Sequence, residues 1–427
     1  MSLTYKTQDY FSDFQCLGGD CPDTCCQRWE IKLDRQHYEL LQARMSEEPR
    51  QRTLFETYIQ INDKPVLGDY DYAHINMANN GYCPMLSDDG LCDIHRAHGV
   101  EPLGNICTFF PRVIVRRGDN VEMSGALSCP EVVRRCLSQE TLPSLVRFSP
   151  ADLPRAEYPI TRELTRNESD HYAHYFSQVR ESFLSVMARE KEPLAVRLYA
   201  LASVANRISR FYHRGCKAFD ASLLEKELQR ARSEEAFVYW ADYLEQYQAD
   251  EPLALIVIQS ILQLKQEEFP QEKTSQLAKR IFSAWLDEES QRNWTELFGK
   301  REQQVEQTLS ILLDRYITRY LYNCLFREWF YTMPDSFTYI QMLLVRTAML
   351  RFLLIADPEL ARLLEEHSHG QLDDKLLEQR FFELAVNTTY RFCRDVDQNL
   401  PFLQVLYNAL GEQQMMNFDY SLPFIKF

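Results

Sequence analysis

Cys16-Leu-Gly-Gly-Asp-Cys21-Pro-Asp-Thr-Cys25-Cys26-Gln-Arg-Trp29 packs four thiols into eleven residues near the start of a 427-residue chain. Cys83, Cys92, Cys107, Cys129 and Cys136 follow before residue 140, so nine of the twelve cysteines lie in the first third. Cys216, Cys324 and Cys393 are scattered singly, as buried small hydrophobes usually are. A chain this long can build its core without sulfur, so such crowding calls for a specific use.

Cys21-Pro22 reads as a helix start, because proline suits the first helical position and has no N–H to leave unsatisfied. Cys21 and Cys25 then lie one turn apart on one face, Trp29 continues it, and Cys26 points about 100° away. On that reading Cys21 and Cys25 are the best ligands of the stretch, and Cys16 folds back through Gly18-Gly19. Leu33 to about Ile61 patterns as a helix, and Asn62 to Asn80 as irregular chain. Asp88-Asp-Gly90 marks a tight turn between two short segments that present Cys83 and Cys92. Gly104-Asn-Ile-Cys107 supplies the next thiol. Val113 to Ser124 reads as a β-hairpin turning at Gly118-Asp119-Asn120. Ser128-Cys129-Pro130 again sets a cysteine before a helix-starting proline. Cys136 would sit about 10 Å further along that helix and is read as core.

Pro143, Pro150, Pro154 and Pro159 punctuate the next stretch. The expected organisation is a cysteine-rich metal-binding region over 1–145, a proline-containing linker over 146–165 and a helical domain over 166–427. The fold class is mainly α: a small α+β N-terminal region with a short β-hairpin, then a larger all-α domain. Tyr172, Phe176, Val179, Phe183 and Val186 recur at steps of four and three, an amphipathic stripe. Further helices are expected over 222–248, 252–266, 273–296, 301–331, 336–356, 373–393 and 400–411. The aromatic run from Tyr316 through Tyr320, Phe326, Trp329 and Tyr331 is read as helix packing in preference to a cofactor pocket.

The formal net charge of −15 argues against a nucleic-acid partner and suits one presenting lysines. No basic segment followed by an apolar one opens the chain, so no signal peptide is expected. Leu253 to Leu264 is too short to span a bilayer, and Arg346 and Arg351 interrupt Met342 to Ile355. No transmembrane segment is expected, while peripheral membrane contact stays open. A cytoplasmic protein keeps its thiols reduced, which favours a metal or thiol chemistry over disulfides.

Zinc and an iron–sulfur cluster are both candidates. Paired C-x-x-C knuckles, the usual sign of structural zinc, are absent. Cys21, Cys83 and Cys129 each precede a proline, as at some ferredoxin ligands, and a helix amino terminus favours a thiolate. Spacing alone leaves both open. The C-x3-C-x2-C radical arrangement fails at its third place, Arg28. His95 and His98 offer nitrogen ligands or a base, although a solvent-facing histidine is the preferred reading. Haem attachment, H-E-x-x-H, G-x-S-x-G, P-loop and G-x-G-x-x-G motifs are absent.

The order of these blocks resembles the flagellin lysine-N-methylase family: Cys16-x-Gly-x-x-Cys21-x3-Cys25-Cys26-x2-Trp29, Cys83-Pro-x-Leu with Gly90-Leu-Cys92-x-Ile, Cys107-x3-Pro111-Arg112, and Ser128-Cys129-Pro130. The resemblance implies a bacterial cytoplasmic enzyme moving a methyl group from S-adenosylmethionine to lysine ε-amines of flagellin. It also implies a 4Fe-4S cluster, with Cys16, Cys21, Cys25, Cys26, Cys83, Cys92, Cys107 and Cys129 as the matching positions. Eight thiols exceed the four that one cluster needs, so the rest are packing, a second metal site or redox partners. Small zinc- or iron-chelating domains share a related pattern. A non-enzymatic chelating protein with a helical interaction domain is therefore the alternative. No catalytic or donor-binding residue is assigned.

Overall fold

The computed structural model describes residues 3–27, 29–64, 68–155, 160, 162–164, 170–247, 251–285, 294–328 and 330–427. The chain divides into two units: Met1–Val132 with Pro143–Glu163, and Val133–Leu142 with Leu164–Phe427. Arg28, Pro159 and Trp329 lie outside the described residues.

The first unit carries the strands β1 (Thr4–Gln8), β2 (Ile31–Leu33), β3 (Ile59–Ile61), β4 (Ala73–Ile75), β5 (Arg112–Arg117), β6 (Asn120–Gly125) and β7 (Leu145–Arg147), with β8 (Arg162–Leu164) at its boundary. They form a five-stranded sheet in the order β7-β1-β6-β5-β8 and a three-stranded sheet in the order β2-β4-β3. The expected hairpin is β5–β6, paired from Arg112↔Gly125 to Arg117↔Asn120. Gly118 supplies the positive φ of its turn. β1 runs parallel to β6 and antiparallel to β7. Gly125 is required by close packing, since a Cβ there would lie 2.5 Å from Val132 Cγ1 and 2.9 Å from Phe11 Cδ2.

The helix expected over 33–61 is instead broken in the middle and flanked by strands. The first part is α1 (Arg35–Met45), capped by Asp34, whose carboxylate accepts from the His37 N–H at 2.9 Å. The second is α2 (Pro49–Tyr58), where Glu48 accepts from the N–H groups of Arg50 and Gln51. Pro49 cannot continue α1 but suits a new first turn. Ile59 is buried and Gln60 exposed, as on opposite faces of a strand, while Ile61, on the side of Ile59, is 49% exposed at the strand's end. β4 lies in the stretch expected to be irregular. Two short helices follow the cysteine loops, α3 (Asp93–His98) and α4 (Asn105–Phe109), and then α5 (Pro130–Leu137) begins at the proline after Cys129.

The second unit is helical. Its centre is Ser336–Ala356, in which every residue but Arg351 is buried. Asp335 caps it by accepting from the Thr338 N–H at 2.8 Å. This helix is long and apolar enough to cross a membrane, yet 94% of its apolar window is covered by the unit itself. Each large side chain so buried contributes roughly 1.5–3 kcal/mol. The expected 222–248 helix divides at Ser233 into Ala221–Arg230 and Glu234–Gln246. The 301–331 helix divides into Trp294–Thr308 and Ser310–Arg327, and Pro358–Ser368 is an additional helix. The helix expected over 273–296 is described only as Lys273–Trp285, since residues 286–293 lie outside the described set. Tyr316, Tyr320 and Phe326 pack in the interior, as does Cys136, whose thiol donates to the Arg319 carbonyl at 3.8 Å.

Candidate metal centre

No helix forms at Cys21-Pro22. Residues Gly18–Asp20 make a single 3-10 turn, entered through a positive φ at Gly18, and Cys21 leaves it in extended conformation. Cys21 donates its thiol hydrogen to the Asp23 carbonyl at 2.8 Å. The Gln27 side chain takes Asp23 Oδ1 and the Thr24 carbonyl, and the Thr24 hydroxyl accepts from the Cys26 N–H. Asp and Thr thus draw the backbone into local turns that compete with a helix. Gln27 then pairs with Tyr82 in an isolated bridge. Cys21 and Cys25 therefore do not share a helix face, and the preference for them as ligands has no geometric basis.

Cys26 turns inward instead. Its carbonyl accepts from the Cys83 N–H at 2.9 Å, which ties the two thiol-bearing segments together. From Cys83 the chain turns back on itself through Gly90, at positive φ, and Leu86 pairs with Cys92. Cys92 is the residue before α3, and Cys107 lies in the single turn of α4. That turn sits hard against β2, since a Cβ on Gly104 would stand 2.7 Å from Leu33 Cδ2. Cys26, Cys83, Cys92 and Cys107 all pack on one apolar core with Met85, Ile94, Leu33 and Ile75.

Each of these four thiols lies within electrostatic reach of the other three. Burial pushes Cys83 up to about 12, raises Cys92 and lifts Cys107 well above the usual thiol value, and mutual repulsion adds to it. Four thiolates can coexist there only with a cation among them. An all-sulfur donor set suits zinc or an iron–sulfur cluster. Tetrahedral zinc with bonds of about 2.3 Å holds its sulfurs roughly 3.8 Å apart. In an iron–sulfur cluster each thiolate would instead meet a different iron.

The other four matching cysteines lie outside that core. Cys16 and Cys25 are exposed, Cys21 is half-buried and Cys129 is buried. Cys129 precedes α5, where the N–H groups of Glu131 and Val132 face its sulfur, but burial dominates and pushes it up to about 12. Its thiol neighbours are Cys21 and Cys16. Cys25 and Cys26 hydrogen-bond side by side, which lowers Cys26 to about 7 and raises Cys25. All twelve cysteines are free thiols.

Two arginines lie near these thiols, Arg112 at the end of the Cys107 block and Arg155 outside every block. Arg112 stacks on Phe14, donates to the Phe14 carbonyl at 3.1 Å and faces Cys16. Arg155 donates to the carbonyls of Val100 and Leu103 and lies near Cys107. Arg155 falls in the stretch expected to be a linker, where nothing in the sequence marks it. His95 is exposed, and His98 meets Gln51 Oε1 at 2.7 Å.

The second unit holds a different polar group, which sequence reasoning missed. Cys324, Glu328 and Asp397 bring ligand-type atoms within 4.8 Å of one another. Arg346 already spans both carboxylates, binding Glu328 through two nitrogens at 3.0 and 2.9 Å and Asp397 at 2.8 Å. Tyr320 donates to Asp397 at 3.0 Å. A guanidinium occupies the place a cation would take, so this is a charge-compensated internal network. Asp397 reaches it from a π-helical turn, Cys393–Asp397. Its only sequence signal is Arg346 inside an apolar run.

The model of the FliB lysine N-methylase C-terminal domain matches residues 180–424. Lysine-N-methylases of Salmonella choleraesuis and Salmonella typhimurium are each 30% identical over 137 residues, 32% of this chain and 33% of the relative. The match thus spans about a third of the length of these curated relatives. A flagellar biosynthetic protein FliU of Salmonella muenchen is 30% identical over 137 residues, 78% of its length. No solved structure matches. The family model lies on the helical part and the resemblance of the cysteine blocks on the part before it, and together they make this chain a member of the FliB lysine N-methylase family.

Proposed function

We propose that this chain is a cytoplasmic protein-lysine N-methyltransferase that modifies flagellin, takes its methyl group from S-adenosylmethionine and depends on a 4Fe-4S cluster held by cysteines. The observation that carries the reading is the family match across 180–424, most of the helical unit. The relatives' names, lysine-N-methylase and flagellar biosynthetic protein, support the reaction and the substrate. The four thiols on one core support a thiolate-bound metal centre.

The chemistry sets one demand. A lysine with pKa near 10.4 is almost wholly protonated at neutral pH, and its ammonium cannot attack a methyl group. The enzyme must strip that proton by desolvation or with a base, then align nitrogen, carbon and sulfur. The net charge of −15 favours the approach of a lysine-bearing surface. Anaerobically purified full-length protein, incubated with methyl-labelled S-adenosylmethionine and undermodified flagellin, is expected to label lysine. Absence of label with the metal content intact would sink the proposal.

A further inference from the structure

We propose that the cavity between the helices Lys273–Trp285 and Asp374–Phe392 of the second unit binds a small polyphosphate anion, a diphosphate or triphosphate group that is free or carried on a nucleoside. The inference is independent of methyl transfer and of the cysteine region.

Lys273, Gln276, Arg280 and Ser283 recur at steps of three, four and three, which sets them on one stripe of the first helix, with Lys279 beside it. Ala278, Ile281, Phe282 and Trp285 take the buried face. The Thr274 N–H donates to Asp395 Oδ2 at 2.8 Å, and Asp395 stands in the π-helical turn that continues the second helix. That bond pins the start of one helix beside the end of the other and brings Arg391, in the last turn, up to the stripe. A cavity of about 690 Å³ opens there, with those five side chains and Arg391 on its walls.

Four of the wall residues are cations, and among the described residues no carboxylate lines the cavity. The side chains of Lys279 and Arg280 reach no ion-pair partner among the described residues. Arg391 lies over the Tyr390 ring and donates to the Tyr390 hydroxyl at 3.1 Å. Asp357 is within electrostatic reach of Arg280 and Arg391, but it is buried, and its carboxylate accepts from the Glu359 N–H at 2.9 Å to cap another helix. One acid set back in the interior does not balance four cations on the walls, in a chain whose net charge is −15.

Lysines along one helix are ordinarily a solvated face. Here the cations come from two helices and converge on a concavity, where like charges repel one another and low-dielectric walls focus their field on a bound anion. The cavity matches small-molecule sites in size, which favours a compact anion over an extended acidic segment. Planar guanidiniums grip phosphate oxygens through two nitrogens, the ammoniums add charge, and the Gln276 amide and Ser283 hydroxyl offer neutral donors. S-adenosylmethionine, with a sulfonium and an ammonium against one carboxylate, has the wrong charge for this cavity.

The test is isothermal titration calorimetry of anaerobically purified full-length protein with inorganic triphosphate and with ATP, at low and high salt. One site per chain is expected, with affinity falling as salt rises. Arg280→Gln with Arg391→Gln should weaken binding at least about tenfold while circular dichroism is unchanged. Because Arg391 is half-buried, Arg280→Gln alone provides a second variant on an exposed side chain, with a smaller loss in the same direction. Lys300→Gln, an exposed lysine paired with Glu296 on another helix, is the control and should bind as the wild type does. Tighter binding of ATP than of triphosphate assigns a nucleotide; otherwise the phosphate chain alone is the ligand. Four results overturn the inference: no saturable binding up to millimolar triphosphate, undiminished binding by the folded arginine variants, equal weakening in the Lys300 variant, or tighter binding of a poly-glutamate peptide than of either phosphate probe. Methyl transfer without triphosphate binding would sink this inference and leave the enzymatic reading standing.

Discussion

Along Ser336–Ala356 the second unit buries a whole 21-residue helix in its own side chains, whereas β2, β3 and β4 of the first unit are three residues each and share their core with four thiols. The first unit is the smaller body, and short strands cover little apolar area. Small bodies of this kind commonly borrow stability from a metal, while a long helical body finds it in packing. The two regions should therefore respond to opposite perturbations.

The largest expected effect comes from removing metal. A chelator should greatly increase hydrogen exchange across residues 31–107 while amides of 336–356 stay protected. Structural metal is worth on the order of 10 kcal/mol in small zinc domains, so the loss should be plain. Equal loosening of both regions would break the comparison. The second effect runs the other way. Arg346→Met leaves Glu328 and Asp397 as buried carboxylates without their shared partner, which should cost the second unit about 3–5 kcal/mol in urea unfolding. Iron content per folded chain should not change.

The smallest effect is a slope. Burial alone would raise the Glu328 carboxyl, but the charge and hydrogen bonds of Arg346 outweigh it and hold Glu328 at about 2. A carboxyl lowered in the folded state contributes stability that is present above its unfolded value near 4.5 and is lost as pH falls toward 2. Glu328→Gln should therefore flatten the fall in unfolding free energy between pH 4.5 and 2, even though it lowers stability at neutral pH. An unchanged slope would remove Glu328 from the account.

Much of this could be read from residue order, and the failures are instructive. The same proline rule succeeded at Cys129-Pro130 and failed at Cys21-Pro22. After Pro130 come Val132 and Val133, both buried, which give the helix a face to press inward. After Pro22 come Asp23 and Thr24, whose side chains capture nearby backbone groups before a helix can start. The inversion of Cys25 and Cys26 follows from that failure. Which neighbour faces the core is decided by the Cys83 N–H, 57 residues away, and no local period carries that information. The mainly α fold was legible because its stripes are long. Ser233 and Pro358, which start additional helices, are weaker marks against continuous apolar patterns.

Arg346 has a further consequence during synthesis. Before the second unit closes, residues 336–356 leave the ribosome as an apolar stretch of membrane-spanning length. An arginine at the centre of such a helix adds about 2.5–3.5 kcal/mol to its insertion into a bilayer, and Arg351 adds its own penalty nearer the end. The side chain that later locks Glu328 and Asp397 together thus also weighs against misdelivery of the nascent chain, for as long as Asp397 has not yet emerged and Glu328 has not yet packed against it.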